Sequence, residues 1–192
     1  MTLEERLDLA EKKISEPDFR RNKGLANEVG YYIFDYPADR ELTVREWVKN
    51  IAARNAASQC EYRIVVFDVY EIIIQALKEK GYLDQCCEFE KSHGMPFVVK
   101  AVGAALRFAD KGSYIVNYII QHTPTEKAIV FLTGIGKCYP LLRSHMLLNN
   151  LHQKMDVAPV VLFFPGKYDG QEPCLFSTIK DGNYYRAFKL VD

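Results

Sequence analysis

A chain of 192 residues with 48% hydrophobic content is long enough to bury one sizeable core, and its length favours one domain, spanning 1–192, over two. Lysine plus arginine and aspartate plus glutamate both number 25, so the formal net charge is zero and there is no global electrostatic footprint for nucleic acid. The five cysteines form an odd set with no CxxC pair and fit neither a disulfide framework nor a zinc site; with no apolar run near the roughly 20 residues that span a bilayer, the expected setting is the reducing cytoplasm.

In chain order, Leu3, Leu7, Ala10 and Ile14 recur at helical spacing, and Thr2 with Glu5 has capping-box spacing, which predicts a first helix ending before Pro17. Residues 31–34 form a short apolar-aromatic run closed by Asp35-Tyr36-Pro37, the pattern of a buried strand leaving a sheet, with Asp35 as a turn former. Thr43 and Glu46 repeat the capping box ahead of a stripe made by Val44, Trp47, Val48 and Ile51. A β-branched run at 63–67 predicts a second buried strand, and Asp68 then caps a helix that Gly81 stops. Residues 83–122 read as inserted helices, with Pro96 in a first turn and Ser113 as a cap.

A third buried strand is predicted at 127–132, after which Gly134-Ile135-Gly136-Lys137-Cys138-Tyr139 turns the chain and Pro140 opens a helix running to about Met155. A fourth strand follows at 159–164, and runs at 175–179 and 184–191 flank an Asp181-Gly182 turn suited to a hairpin. Repeated strand–helix units with right-handed crossovers imply a three-layer α/β sandwich with a mostly parallel central sheet and an antiparallel carboxy-terminal edge.

The turn at Gly134, Gly136 and Lys137 lies between a strand and a helix, where backbone amides can hold a phosphate. A phosphate loop also needs an upstream glycine and a Ser or Thr after the lysine, and Phe131 and Cys138 occupy those places, so a tight turn outweighs nucleotide binding. Asp68 superficially resembles a magnesium-binding carboxylate, yet its spacing from Glu71 favours a helix cap. In the helix from Pro140, Leu141, Ser144, Leu147, Leu148, Leu151 and Met155 share one arc, with His145, Asn149 and His152 at its margin. His145 and His152 lack a third ligand, so no metal is expected there.

Arg143, Asn150 and Lys154 share the opposite face, and Arg143 and Asn150 are candidates for contacting a partner. The segment 165–170 leaves the fourth strand at its carboxyl end, where α/β sheets place ligand sites, and is equally a recognition loop or a plain connection. Its Lys167, Tyr168 and Asp169 would join Arg143 in a rim patch of hot-spot composition. Tyr184, Tyr185 and Arg186 on the last strand suit an interface or a sheet face. Neither a GxSxG elbow nor an HExxH pair occurs, and no residue set calls for a cofactor.

Longer blocks carry a family resemblance. VFLTGIGKCYPLLRSHMLLNNLH (130–152), VVLFFPGKYDGQEPCLF (160–176) and NYYRAFKL (183–190), with FDYPADRELTVREW (34–47) and VVFDVYEIIIQALKEKG (65–81), together resemble the BrxB family, a small component of bacterial BREX defence systems. The resemblance covers nearly the whole chain. It implies a role in a multi-gene defence that methylates host DNA and blocks phage propagation, beside a large ATPase, a DNA methyltransferase and a PglZ-type protein. It brings no catalytic residues, and an association with the PglZ-type protein is the partner it implies.

The expectation is therefore a non-catalytic adaptor that binds no DNA sequence-specifically by itself. The alternatives are a nucleotide-binding regulatory subunit using the Gly134–Lys137 turn, or an enzyme whose site is assembled only in space. The strand–helix order also resembles a degenerate P-loop ATPase core, in which Tyr36-Pro37 replaces the glycine-rich loop after the first strand and Thr133-Gly134 an acidic pair after the third.

Overall fold

A computed structural model describes residues 1–20, 30–110, 112–180, 182 and 187–192. Helix α1 (Leu3–Ser15) begins at the predicted capping box: the Glu5 amide donates to Thr2 Oγ1 at 3.2 Å and the Thr2 amide to Glu5 Oε2 at 2.7 Å. After the single turn α2 (Pro17–Arg20), strand β1 (Tyr31–Tyr36) crosses the core and leads into α3 (Glu41–Ala57). Strand β2 (Arg63–Asp68) precedes α4 (Val69–Glu79), and the inserted helices are α5 (Leu83–His93), α6 (Met95–Ala105) and α7 (Tyr114–His122). Then come β3 (Ala128–Thr133), the one-turn α8 (Ile135–Cys138), α9 (Ser144–His152), β4 (Val160–Tyr168), and the short strands β5 (Pro173–Leu175), β6 (Ile179–Lys180) and β7 (Phe188–Lys189).

Five strands form a parallel sheet in the order β2-β3-β4-β1-β7, and β4 extends beyond it into an antiparallel ribbon with β5 and β6. The central strands are apolar on both faces because helices cover both. Ile129, Phe131, Val161, Phe163 and Phe34 pack with α1 and α3, while Val130, Leu132, Val160, Leu162 and Ile33 pack with α4, α6, α7 and α9. This two-residue alternation produces the expected three layers. Among the described residues no helix is long and apolar enough to cross a membrane.

Five local expectations are corrected. Helix α3 starts at Glu41 and leaves the Thr43–Glu46 box unused, because Pro37 opens a 3-10 turn (Arg40 amide to Pro37 carbonyl, 2.9 Å) that runs into the helix. Strand β2 is the end strand of the sheet, with Arg63 and Val66 exposed, so its apolar run marks an edge and not a buried strand. The helix expected from Pro140 begins only at Ser144: residues 139–141 form a turn after the one-turn α8, and Leu142 and Arg143 are neither helix nor strand.

Residues 165–168, expected in a loop, continue β4 and pair with β5; Gly166 allows this, because a Cβ there would lie 2.2 Å from the Cys174 carbonyl oxygen. A hairpin turn lies at Phe176 and Ser177 (φ 53° and 58°), inside the run expected to be one strand, and β7 pairs in parallel with β1, which offers it a free edge, instead of with β6. Asp181 falls outside the described residues, as do Tyr184, Tyr185 and Arg186.

Candidate functional site

All parallel strands end on one rim, where open α/β sheets place their ligands. β1 and β4 are neighbours there, and the chain leaves them in opposite directions, toward β2 and toward β7. Asp35 fills the crevice this creates. It is buried at the end of β1, its Oδ1 accepts from Arg6 at 2.6 Å and its Oδ2 accepts from the Tyr168 amide at 3.0 Å. Arg6 also donates to the Asp35 carbonyl at 2.8 Å and lies 5.0 Å from the centroid of Phe34. Asp35 is thus a tie between α1, β1 and β4, which corrects its reading as a turn former.

The other half of the rim carries the Gly134–Lys137 turn. Asp68 caps α4, with Oδ1 accepting from the amides of Tyr70 (3.1 Å) and Glu71 (3.2 Å), and Lys137 Nζ donates to Asp68 Oδ2 at 2.7 Å and to Glu71 Oε1 at 3.3 Å. Partial burial acts to lower the Lys137 ammonium pKa, but the hydrogen bonds and charges of Asp68 and then Glu71 outweigh it, and the net direction is up. Gly134 takes φ +78°, and a Cβ there would lie 2.3 Å from Asp68 Oδ1, so the residue is required twice over. A Cβ on Gly136 would meet Pro165 at 2.9 Å and Phe176 at 3.1 Å. Both glycines serve close packing, and the lysine is committed to two carboxylates.

Cys138 has its Sγ 3.3 Å from the Gly134 carbonyl oxygen; burial, reinforced by Asp68, pushes its thiol up to about 12, so it stays protonated and is no nucleophile near neutral pH. Among the described residues no group of three or more His, Cys, Asp or Glu could hold a metal ion.

The predicted partner residues divide. Arg143, Lys167 and Asp169 are exposed on or beside the rim. Asp169 closes its own turn by accepting from the amides of Gln171 (2.8 Å) and Glu172 (2.7 Å); those bonds, Glu172 first, hold its carboxyl below the usual range. Tyr168 is 1% exposed, and its hydroxyl donates to the Ala187 carbonyl at 2.6 Å, so it is a core anchor and not a surface contact. Asn150 is half-buried and donates to the Phe108 carbonyl at 2.9 Å, which ties α9 to the loop after α6.

Two aromatics that sequence reasoning missed stand in their place. Tyr139 and Arg143 line a cleft with Leu175 and Ile179 that measures about 20 Å³, room for a single water, and exposed Phe176 follows Leu175 at the hairpin turn. The sequence carried no signal for Phe176, which falls inside the run 175–179 expected to be one strand; the structure breaks that run with a turn at Phe176 and Ser177 (φ 53° and 58°).

Residues 65–190 match the family model described as BREX protein BrxB. A relative described as BREX protein BrxB from Bacillus cereus (strain H3081.97) is 46% identical over 190 residues, covering 99% of this chain and 98% of the relative. Another of the same description, from Escherichia coli O9:H4 (strain HS), is 33% identical over 189 residues, covering 98% of this chain and 92% of the relative. No solved structure matches the chain.

Proposed function

The chain belongs to the BrxB family and is a component of a BREX system, and on that premise we propose that it is a non-catalytic cytoplasmic adaptor that docks the PglZ-type protein through the carboxyl-end rim. The observation that carries this reading is exposed Tyr139 and Arg143 at a small cleft, with a second exposed aromatic, Phe176, next in the chain to the cleft residue Leu175. Aromatic and arginine side chains dominate binding energy at interfaces, whereas a cleft the size of one water is no substrate pocket.

The neighbouring charges support the same reading. Asp35 and Asp68 are spent on Arg6, Lys137 and backbone amides, and a phosphate at Lys137 would have to displace two carboxylates. The core is read as a P-loop relative that has lost its loop: β1 sits inside the parallel sheet and runs into Tyr36-Pro37.

Affinity purification of the tagged chain from cells carrying its native operon tests the proposal. The PglZ-type protein should co-purify, and the isolated chain should release no phosphate from ATP. Retrieval of no BREX protein would overturn the adaptor reading. Magnesium-dependent hydrolysis lost on Lys137→Ala would replace it with a nucleotide site at the turn.

A further inference from the structure

Away from the rim, the carboxyl ends of α4 and α6 meet α7 around a cleft of about 290 Å³, near the lower end of the ~300–1,000 Å³ typical of ligand pockets. Lys80, Arg107, Tyr114, Asn117, Tyr118 and Gln121 line it. On α7, Tyr114, Tyr118 and His122 recur every four residues and form a ladder of rings, with successive centroids 6.2 and 4.0 Å apart and planes inclined by 26° and 24°. The Lys80 ammonium lies 5.7 Å from the centroid of Tyr114.

Arg107 is fixed beside this ladder. It takes φ +55°, unusual for a residue with a Cβ, and its guanidinium lies against Gly112, where a Cβ would come within 3.1 Å of Cζ. Its Nε donates to Asp110 at 3.0 Å, while both terminal nitrogens make no hydrogen bond among the described residues. Two charged residues bond to the lining without lining the cleft themselves: Glu79 accepts from the Tyr114 hydroxyl at 3.3 Å, and Lys154 donates to Asn117 Oδ1 at 3.0 Å. Among the described residues the lining itself holds two cations, Lys80 and Arg107, and no anion, although the chain as a whole is neutral.

We infer that this cleft binds a nucleotide unit, with an unpaired base against the Tyr114–Tyr118 rings and its phosphate between Lys80 and Arg107. The chemistry selects this ligand class. Ring faces and a cation–π pair accept any base by stacking, paired guanidinium nitrogens suit a phosphate, and the exposed Gln121 amide can bond a base edge. A duplex hides its base faces in the stack and is excluded. The unit can come from a free nucleotide or from a single strand. The site uses none of the rim residues, so it goes beyond the adaptor reading and can fail independently of it.

Fluorescence anisotropy of a short labelled oligothymidylate on the full chain tests this, with the unlabelled oligothymidylate, thymidine monophosphate, inorganic phosphate and a matching duplex as competitors. Arg107→Gly suits the positive φ and removes the cation without disturbing the backbone. Combined with Lys80→Ala, it should weaken binding at least about tenfold at an unchanged melting temperature. Lys80→Glu, on an exposed side chain, repeats the test should the double variant not fold. Displacement by the monophosphate assigns the site to a free nucleotide, and displacement by unlabelled oligonucleotide alone assigns it to a strand. The inference is overturned if the parent binds none of these probes, if the variants bind as tightly as the parent, or if phosphate or duplex competes as well as the nucleotide.

Discussion

Two aspartates close two strands of the same sheet, and they are held in opposite ways. Asp68, at the end of edge strand β2, bonds amides two and three residues downstream and one lysine. Asp35, at the end of interior strand β1, bonds a guanidinium 29 residues upstream and an amide 133 residues downstream. A cap is a local solution that any helix start can supply, whereas the Asp35 tie exists only once three elements have docked. The first is therefore a matter of helix stability and the second of assembly of the sheet with α1.

The comparison can be broken by mutation. Asp35→Ala strands the Arg6 charge and the buried Tyr168 amide together, and should cost about 3 kcal/mol, read as a fall in the denaturant midpoint. Gly134→Ala should follow at roughly 2 kcal/mol, from the left-handed backbone and the collision with Asp68. Because that collision is with the cap itself, the cost should shrink in an Asp68→Ala background, and additive effects would show that the two do not touch. Asp68→Ala should cost about 1–2 kcal/mol by removing cap and ion pair together. Asp68→Asn keeps the cap and should cost less than about 1 kcal/mol. An Asp35→Ala loss no greater than that of Asp68→Ala would erase the distinction.

The smallest effect is on pH. The Lys137 pKa is raised above its ordinary 10.5, so its ion pairs contribute fully below that value and are lost as pH rises through the higher folded-state value. The stability gap between wild type and Asp68→Asn should thus be constant near neutrality and close above about pH 10.5. A gap that persists there would mean that Lys137 is not the partner that matters.

What the sequence disclosed divides along the same line. The capping box at Thr2, the cap at Asp68, the apolar strands and the layered α/β fold all rest on spacings of a few residues. Misplaced features were decided by longer-range competition. Tyr168 has the neighbours of a loop residue, yet β5 pairs with its strand and Ala187 accepts its hydroxyl. Asn150 falls on the outward arc of an ideal helix, but the Phe108 carbonyl lies against that arc. Thr43 offered a cap to a helix that Pro37 had already started. At the rim, Arg143 was legible as an exposed cation, while Phe176 became visible only once the β5–β6 turn was placed.

The central claim, that the rim docks a BREX partner, is tested most directly by co-purification of the PglZ-type protein with a tagged Arg143→Ala, Phe176→Ala double variant from cells carrying the whole operon. Neither side chain is buried, so the melting temperature should stay near that of wild type. Loss of two interface anchors worth ~2 kcal/mol together would weaken retention of the partner roughly thirtyfold. A folded double variant that retrieves the PglZ-type protein at wild-type yield would contradict the account.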